Sequence, residues 1–408
     1  MLNYLKQFSI FCFLDNHEYN LPWHSTECLC GAGVKQRMNP GDQDLNTAEK
    51  FIEAENDWIF GHLSYDLSED LFHVSGNFPL RVQFPGLFFF VPEILIRLDS
   101  HQITIGSFNE DHEAIFNQIK NFPKLSLVSK QVNVEQRMSK EEYVAAIEFL
   151  RQHIVRGDCY EINYCLEFFA ENAEIDPFSV YHQLGLVSPN PFSGFYRYDD
   201  QYLMCASPER YLRKERNKII SQPIKGTAPR DKSNQLKDIK SKQALRDSAK
   251  DRSENVMVVD LVRNDFAKVC EEGTVKVDEL FGVYSFPQVH QMISTISGQL
   301  IQETSITDIF KASFPMGSMT GAPKKRVIEL IAAYEKSRRG LFSGAIGYIS
   351  PEKDADFNVV IRSLLYNAAD GYLSLPAGSG ITFYSDAELE YRECLLKAEA
   401  MLKALAPA

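Results

Sequence analysis

The order of strand-like and helix-like stretches constrains the fold of this chain more than any other feature of its sequence. The strand-like residues 159–170 are followed by residues 193–212, which are typical of a hairpin that turns at Asp199–Asp200. Helical spacing of apolar residues recurs farther along the chain, at residues 241–264, 323–337 and 387–404. Strands and helices do not alternate regularly, as they would in a chain built from βαβ units. The pattern therefore predicts an α+β or mixed α/β fold with mostly antiparallel strands.

One further helix carries its own start signal. Ser139 is placed to cap a helix over residues 139–158, and Glu142 follows three residues later, as in a capping box. We therefore expect a helix that begins directly after this serine.

The first part of the chain differs from the rest in its residue pattern. Residues 82–107 contain short alternating runs separated by Pro, Asp and Ser, which predicts strands joined by turns. The polar stretch 124–137 is predicted to connect two parts of the chain. We therefore divide the chain into residues 1–130 and residues 131–408, of which the second part holds the candidate functional motifs.

The balance of charges excludes one class of partner. The chain has 43 Lys and Arg residues against 55 Asp and Glu residues, a formal net charge of −12. General binding to nucleic acid phosphates needs clustered basic residues, so we expect no nucleic-acid partner. A small anionic substrate stays compatible with this charge, because local basic residues can overrule the overall sign.

Cysteine spacing and hydropathy indicate the compartment. Only Cys28 and Cys30 of the 8 cysteines are close in sequence, which favours free thiols in a reducing cytoplasm over a zinc site or a disulfide framework. The apolar run FSIFCFL near the N-terminus lacks a cleavage site and is interpreted as a strand. Residues 86–98 are too few and too polar to span a membrane. We therefore expect a cytoplasmic protein without a membrane partner.

Two pairs of acidic residues lie three positions apart in helix-like segments. Asp251 and Glu254 form one pair and Glu390 and Glu393 the other, so each pair shares one face of its helix. Two such pairs can converge on one hard cation, and carboxylate oxygens suit Mg²⁺. The alternative is a set of solvated ion pairs, since Glu393 and Lys397 have ordinary i,i+4 spacing. Spacing alone leaves both interpretations open.

Two glycine-rich turns and one arginine are candidates for binding an anion. Residues 314–326 precede a helix, and residues 375–383 follow a strand. Backbone N–H groups in such turns bind anions, although turns that need glycine for their conformation give the same pattern. Residues 356–366 alternate like one buried strand, which Arg362 interrupts. A guanidinium there needs a carboxylate, from the protein or from a ligand.

Three titratable residues occur where acid–base or nucleophilic chemistry would be possible. Lys225 lies between Ile224 and Gly226, and partial burial would lower its pKa and make it a nucleophile. The alternative is a strand-end lysine that extends to water. Glu209 would be a general acid if burial raises its pKa. His290 is either a catalytic residue or a hydrogen-bonded residue of the core.

The order and spacing of these motifs are more specific than any one of them. The set comprises ASPER, PIKGT, ENVMVVDLVRND, VHQMISTISG, FPMGSMTGAPKKRVIELI, GAIGY, DFNVVIRS and AGSGI. It resembles the chorismate-utilising enzymes, densely over residues 140–404 and more loosely before them. The resemblance implies one α+β fold of two antiparallel β-sheets packed face to face with flanking helices. Residues 1–130 would form the N-terminal part of that fold, and residues 131–408 the chorismate-binding catalytic region.

The PIKGT motif bears on which reaction is implied. Family members that make anthranilate or isochorismate typically have alanine at the position of Lys225, whereas those that aminate chorismate at C4 typically have lysine. The resemblance thus implies formation of 4-amino-4-deoxychorismate from chorismate and ammonia, for 4-aminobenzoate and folate synthesis. Lys225 would attack C2, Glu209 would protonate the leaving hydroxyl, and His290 matches a further active-site residue. The alternative is amination at C2 with loss of pyruvate, which gives anthranilate.

The resemblance also implies a metal, a partner and a set of binding residues. Mg²⁺ would be held by Asp251, Glu254, Glu390 and Glu393 and would clamp the ring carboxylate of chorismate. No cysteine lies in the nucleophile turn of a glutamine amidotransferase, so the ammonia is expected from a separate glutamine amidotransferase subunit in a heterodimer. The substrate-binding set comprises Thr227, Gly317, Ser318, Thr320, Arg362, Gly378, Ser379, Gly380 and Lys397.

Two other classes of function fit single motifs. A pyridoxal phosphate enzyme would use Lys225 as its Schiff-base lysine, and the purified protein would be yellow. A non-catalytic subunit would bind Mg²⁺ and chorismate without turnover. The joint presence of an acid, a lysine and four carboxylates favours an enzyme over such a subunit.

Overall fold

Two β-sheets with helices on their outer faces form the frame of the molecule. A computed structural model describes residues 1–19, 26–39, 41–109, 111–121, 131–286 and 289–406. The strands are β1 (Ile10–Asp15), β2 (Cys28–Ala32), β3 (Gln36–Arg37), β4 (Ile59–Leu63), β5 (Leu87–Val91), β6 (Ile94–Leu98), β7 (Ile103–Ser107), β8 (Glu135–Gln136), β9 (Glu161–Ala170), β10 (Phe192–Tyr198), β11 (Gln201–Ser207), β12 (Arg210–Glu215), β13 (Lys218–Gln222), β14 (Ile224–Pro229), β15 (Lys276–Ser285), β16 (Val289–Gln299), β17 (Gly321–Ala322), β18 (Ala345–Ile349), β19 (Ala355–Asn358), β20 (Ser363–Asn367) and β21 (Tyr372–Ile381). The helices are α1 (Leu2–Leu5), α2 (Leu45–Ala54), α3 (Leu67–Phe72), α4 (His112–Asn121), α5 (Lys140–Val155), α6 (Pro177–Val187), α7 (Gln235–Asp247), α8 (Ala249–Phe266), α9 (Ile306–Ser313), α10 (Lys324–Tyr334) and α11 (Ala387–Ala404).

The strands are shared between a larger and a smaller sheet. The larger sheet has 11 strands in the order β17-β9-β21-β20-β11-β10-β1-β2-β6-β7, with β8 also paired to β9. The smaller sheet has 10 strands in the order β14-β16-β13-β12-β19-β18-β4-β5-β3, with β15 also paired to β16. Each pairing between these described strands is antiparallel. The predicted α+β class with antiparallel strands is therefore confirmed.

Both sheets contain strands from the two predicted parts of the chain. Strands β1 and β2 lie in the larger sheet, and β4 and β5 lie in the smaller one. The predicted boundary at residue 130 adjoins residues 122–130, which are outside the described residues, as is most of the predicted connection 124–137. The division into 1–130 and 131–408 stays a prediction.

The two sheets contact each other through aromatic and aliphatic side chains. The Nδ1 atom of His62 on β4 lies 2.9 Å from the Tyr196 hydroxyl on β10. Phe88 on β5 packs edge-on against Tyr198 on β10, with ring centroids 4.9 Å apart. Full burial of each such aromatic side chain stabilises the fold by about 1.5–3 kcal/mol. The sheets are thus packed face to face, as the resemblance implies.

Helices cover the outer faces of both sheets. Leu150 on α5, Leu184 on α6 and Met401 on α11 are buried in one apolar cluster with Leu375 of the larger sheet. On the smaller sheet, Phe310 on α9 packs edge-on against Phe357 on β19, with ring centroids 5.3 Å apart. No helix in the described ranges is long and apolar enough to cross a bilayer.

Several predicted elements are present. Helix α5 begins after Ser139, whose side chain accepts a hydrogen bond from the Glu142 backbone N–H in a capping box. Strand β9 and the β10–β11 hairpin lie where the sequence predicts them, and Asp199 adopts the left-handed φ of 51° at the turn. Helix α11 spans the predicted residues 387–404, whereas α10 is shorter than predicted.

Two predicted elements are wrong because each is divided. The helix predicted over residues 241–264 is the pair α7 and α8, which Ser248 separates by capping α8 with a side chain that accepts from the Asp251 N–H. The single strand predicted over residues 356–366 is β19 and β20, which belong to different sheets. Arg362, just before β20, has a φ of 52°, which an extended strand does not permit.

Candidate active site

Two segments cross between the larger and the smaller sheet side by side. Glu209 lies in the crossing from β11 to β12, and residues 359–362 form the crossing between β19 and β20. The Ala206 N–H donates to the Arg362 carbonyl over 3.1 Å, and the Val359 N–H donates to the Glu209 carbonyl over 3.0 Å. This double connection fixes the predicted acid and the predicted arginine at one end of the sheets.

Glu209 has the electrostatic properties of a general acid. It is only 4% exposed, and its burial raises the pKa of its carboxyl group to about 7. The Ser318 hydroxyl and the Lys225 ammonium act in the opposite direction and lower this pKa, but they do not outweigh burial. The side chain therefore carries a proton in a substantial fraction of molecules near neutral pH.

Lys225 is held as part of an ion pair. Its Nζ atom on β14 lies 2.5 Å from Oε1 of Glu161 on β9, so the contact joins the two sheets. Burial acts to lower the pKa of Lys225, but Glu161 and Glu254 outweigh burial and hold this pKa above its ordinary value. The expected lowering of the lysine pKa is therefore wrong, because the sequence did not reveal the carboxylates around the amine.

Two glycines shape the surroundings of Lys225. A Cβ atom on Gly380 would lie 2.7 Å from Oε1 of Glu161 and 2.9 Å from the Lys225 Nζ, so a side chain there would collide with the ion pair. Gly226 has a φ of 94°, and a Cβ atom there would lie 2.9 Å from Cβ of Asp251. Both positions need glycine because other groups approach the backbone closely.

The predicted metal ligands lie on α8 and α11, with lysines among them. Lys250 Nζ lies 3.2 Å from Oε1 of Glu390 and 3.8 Å from Oε1 of Glu254, so these two carboxylates face one cation. Glu393 pairs with Lys397 on its own helix over 2.7 Å. Burial raises the pKa of Glu254 to about 7, against the influence of Lys225. In the described ranges, no three acidic, histidine or cysteine side chains are close enough together to hold a metal ion.

Strand β21 presents backbone groups at this end of the larger sheet. Lys397 Nζ donates to the Gly378 carbonyl over 2.7 Å. The Ser379 hydroxyl lies 3.0 Å from the hydroxyl of Tyr143 on α5, and the side chain therefore faces the helical layer. At Ser379, therefore, the main chain and not the hydroxyl is available to the candidate site.

The segment from Gly317 to Thr320 is tied to both neighbouring layers. The Asn163 N–H on β9 donates to the Thr320 carbonyl over 2.7 Å, and the Thr320 hydroxyl donates to the Met316 carbonyl over 2.9 Å. A Cβ atom on Gly317 would lie 3.0 Å from Leu261 on α8. The segment therefore closes the space between β9 and α8, next to Glu209.

Two predicted residues contact other groups. His290 Nε2 lies 3.0 Å from Oδ1 of Asp238 on α7, and its Nδ1 lies 2.9 Å from the Ser285 hydroxyl. Both ring nitrogens thus have partners other than Lys225 and Glu209. Thr227 is exposed on β14, opposite Gln291 on β16.

Two residues at the site were not predicted. Glu161 is 1% exposed, and Lys250 contacts two of the predicted metal ligands. The signal for Glu161 was an acidic residue at the start of a strand whose other residues are almost all buried. Lys250 gave no comparable signal, since it lies next to Asp251 in a run of mixed charges.

This arrangement suits an anionic substrate whose leaving group needs a proton. A buried acid with a pKa near neutrality lies beside an amine, while Arg362 and Lys397 supply positive charge. A model of the chorismate binding enzyme family matches residues 26–403. The chain belongs to the chorismate-binding enzyme family. Family membership confirms the resemblance found in the sequence.

Individual proteins that resemble this chain support its membership of the family. The probable chloroplastic aminodeoxychorismate synthase of Oryza sativa subsp. japonica is 40% identical over 286 residues, which are 69% of this chain and 32% of that protein. Aminodeoxychorismate synthase component 1 of Escherichia coli (strain K12) is 40% identical over 271 residues, 66% of this chain and 59% of that protein. The matched region therefore spans less than two thirds of either relative.

A solved structure shares the fold of this family member. The crystal structure of anthranilate synthase component I from Streptococcus pneumoniae TIGR4 superposes with a TM-score of 0.79 at 24% sequence identity. The superposition covers 96% of this chain and 92% of that one. The fold that the resemblance implies is thus confirmed over nearly the whole chain.

Proposed function

We propose that this chain aminates chorismate at C4 and yields 4-amino-4-deoxychorismate, as aminodeoxychorismate synthase component 1. The observation that carries the proposal is the position of Lys225, whose largely buried side chain, 11% exposed, faces Glu161, Glu209 and Glu254. The 40% identity to two proteins named as aminodeoxychorismate synthases supports the same reaction.

The reaction divides into two displacements at the ring. The neutral Lys225 amine attacks C2, the ring double bonds shift, and the C4–O bond breaks. Glu209 gives its proton to the leaving oxygen, so that water departs and not hydroxide. A positioned acid of this kind contributes about 10²–10⁴ in rate. Ammonia then attacks C4, the double bonds shift back, and the C2–N bond breaks to release Lys225.

Positive charge and backbone N–H groups would hold the two carboxylates of chorismate. Arg362 is half-buried, and burial acts to lower its pKa while Glu393 acts to raise it. A carboxylate of the substrate would satisfy this guanidinium in a bidentate contact. The main chain at Gly378, Ser379 and Gly380 and the segment Gly317–Thr320 would bind the other oxygen atoms, with Lys397 beside them.

Mg²⁺ is proposed as the cofactor, held by Asp251, Glu254, Glu390 and Glu393. The donor chemistry fits the ion because all four are carboxylates, and Oε1 of Glu254 is buried without a hydrogen-bond partner in the described part of the chain. The four side chains would have to draw together around the ion, since no three of them are grouped closely enough in the described ranges. Lys250 would have to withdraw from Glu254 and Glu390. When bound, the ion would neutralise the ring carboxylate of the substrate.

The ammonia is proposed to come from a glutamine amidotransferase subunit in a heterodimer, with free ammonia as a weaker substitute. We place the reaction in the cytoplasm, where a reducing environment keeps thiols free. In support of this, all eight cysteines are buried and free: Cys12, Cys28, Cys30, Cys159, Cys165, Cys205, Cys270 and Cys394.

Product identity tests the proposed function. The pure chain would be incubated with chorismate, Mg²⁺ and ammonium at mildly alkaline pH, and the products separated by chromatography with mass and ultraviolet detection. A lyase added afterwards converts any aminodeoxychorismate to 4-aminobenzoate. We expect aminodeoxychorismate from the wild type and strong loss of it in Lys225→Ala. Anthranilate as the wild-type product would refute the proposal.

A further inference from the structure

Glu161 is a buried carboxylate whose two oxygens differ in their surroundings. Oε1 lies 2.5 Å from the Lys225 Nζ, within hydrogen-bond distance. Oε2 is buried and has no hydrogen-bond partner among the described residues. A buried carboxylate oxygen without a partner is costly, so the position is one where a proton or a ligand would be stabilised.

The fold builds this contact at the meeting point of both sheets. Glu161 is the first residue of β9 and pairs with Ala322 of β17, directly after the Gly317–Thr320 segment. Gly380 on the neighbouring β21 leaves the space that the ion pair occupies. The pair is therefore enclosed on several sides and is not a surface salt bridge.

We propose that Glu161 is the catalytic base that removes the proton from Lys225 before the amine attacks chorismate. This inference rests on the proposed function, because it takes Lys225 as the nucleophile. One proton moves from Nζ to a Glu161 oxygen, which converts an ammonium and a carboxylate into a neutral amine and a carboxylic acid. The proton returns to the lysine when the C2–N bond breaks and the amine leaves.

Charge balance gives the step its physical reason. The groups that face Lys225 are acidic: Glu161 from β9, Glu209 from the sheet crossing, Glu254 from α8 and Glu393 from α11. They keep the amine protonated in the free protein, and the two carboxylates of chorismate would add to this effect. Once bound substrate excludes water, the ammonium and the carboxylate lose hydration, which raises the free energy of the charged pair. The neutral amine and carboxylic acid do not suffer this loss. Only Glu161 is in direct contact with the Nζ atom in the described part of the chain.

Glu161→Gln tests the proposal with a matched control on the same strand. The substitution keeps size and a hydrogen-bond acceptor but cannot take a proton from an ammonium. Glu167→Gln is the control, since Glu167 is also on β9, is 6% exposed and pairs with Arg137 over 3.0 Å. We expect kcat with ammonium to fall about 10²-fold or more in Glu161→Gln, with the KM for chorismate little changed. The control should stay within about threefold of the wild type.

The pH profile separates a base from a structural residue. In Glu161→Gln the amine must lose its proton to solvent, whereas loss of the Glu209 proton above its pKa of about 7 lowers kcat in the variant and the wild type alike. The ratio of the variant's kcat to that of the wild type should therefore rise about tenfold per pH unit over the alkaline range. The same ratio for Glu167→Gln should not change with pH. Labelling of Lys225 by acetic anhydride, mapped by peptide mass, gives a readout without turnover. The rate at a fixed pH should rise about tenfold in Glu161→Gln if the lysine pKa falls by one unit.

The outcomes distinguish this inference from the function on which it rests. A wild type that makes anthranilate defeats the proposed function itself. A wild type that makes aminodeoxychorismate, with Glu161→Gln at a similar kcat and with the same pH profile, overturns the role of Glu161 alone. Loss of kcat in Glu161→Gln, together with the alkaline slope and faster labelling of Lys225, supports both the proposed function and the role of Glu161.

Discussion

The backbone carbonyl of Glu209 accepts a hydrogen bond of 3.0 Å from the backbone N–H of Val359. The two residues lie in the segments that cross between the sheets, so one bond links both crossings. Glu209 is held there at 4% exposure, where its ionised form is poorly solvated. The sheet architecture thereby produces the raised pKa on which the proposed acid depends.

Glu209→Gln is expected to remove the acid without removing the fold. The pKa of Glu209 is raised to about 7, so the wild type should lose kcat as the pH rises above this value and the proton is lost. The variant should be slower by about 10²–10⁴ and should lack that alkaline limb. Steady-state kinetics across pH, with circular dichroism as the folding control, check this. An alkaline limb that persists unchanged in the variant would assign it to another group.

Glu254→Gln is expected to stabilise the protein at alkaline pH in the absence of Mg²⁺. Burial raises the pKa of Glu254 from 4.5 to about 7, so its stability contribution is present below the unfolded value and is lost as the pH rises through about 7. The Gln side chain is neutral at every pH, so the variant does not lose this part of the free energy of unfolding. The free energy of unfolding should rise by about 1–3 kcal/mol near pH 8 and change little near pH 4.

Glu393→Gln supplies the control of opposite sign. Burial acts to raise the pKa of Glu393, but Lys397 outweighs it and holds the pKa below its ordinary value. Its stability contribution is therefore present above the unfolded pKa and lost in acid, so the variant should be less stable at alkaline pH. Denaturant titrations of both variants near pH 8 measure the contrast. Shifts of the same sign would show that the burial argument is wrong for one of them.

Gly380→Ala is expected to disrupt the Lys225–Glu161 pair. Its Cβ atom would lie 2.7 Å from the carboxylate and 2.9 Å from the amine, so at least one side chain must move. Overpacking of this kind costs about 1–3 kcal/mol, and kcat should fall at least about tenfold. Gly106→Ala on β7 is the matched control, because its Cβ atom would meet Leu95 at an ordinary 3.6 Å. Equal activity of both variants would show that the site does not need glycine at position 380.

Glu390→Gln is expected to weaken activation by Mg²⁺. Glu390 is 1% exposed and faces Lys250, whereas Glu388, two residues earlier on α11, is half-exposed and pairs with Lys140 over 2.7 Å. Chelation should abolish wild-type activity. The Mg²⁺ concentration for half-maximal activity should rise about tenfold in Glu390→Gln and stay within about twofold in Glu388→Gln. Full activity in a chelator would contradict the proposed cofactor.

The sequence predicted the local elements better than their arrangement. The capping box at Ser139 and the hairpin turn at Asp199 rest on neighbouring residues, and both are confirmed. The division of residues 356–366 between two sheets was not predicted, because Arg362 takes a positive φ only in the context of the crossing. Periodicity reports which residues are buried and does not report which sheet buries them.

The same limit applies to the candidate site. Lys225 and Glu209 were found as motifs, but the sign of the lysine pKa shift depended on a contact from β9, 64 residues away in sequence. Glu161 was missed for this reason: its partner lies on the other sheet. The proposed metal ligands came from the family resemblance, because helix spacing alone left solvated ion pairs open, and Lys250, which lies among them, gave no periodic signal.

Trapping the covalent adduct tests the role of Lys225 most directly. The protein would be mixed with chorismate and Mg²⁺ without ammonia, quenched in acid, digested and mapped by mass spectrometry. We predict that the peptide containing Lys225 gains the mass of chorismate less one water, and that Lys225→Ala gains nothing. An unmodified Lys225 peptide, under conditions where added ammonium gives aminodeoxychorismate, would contradict the account.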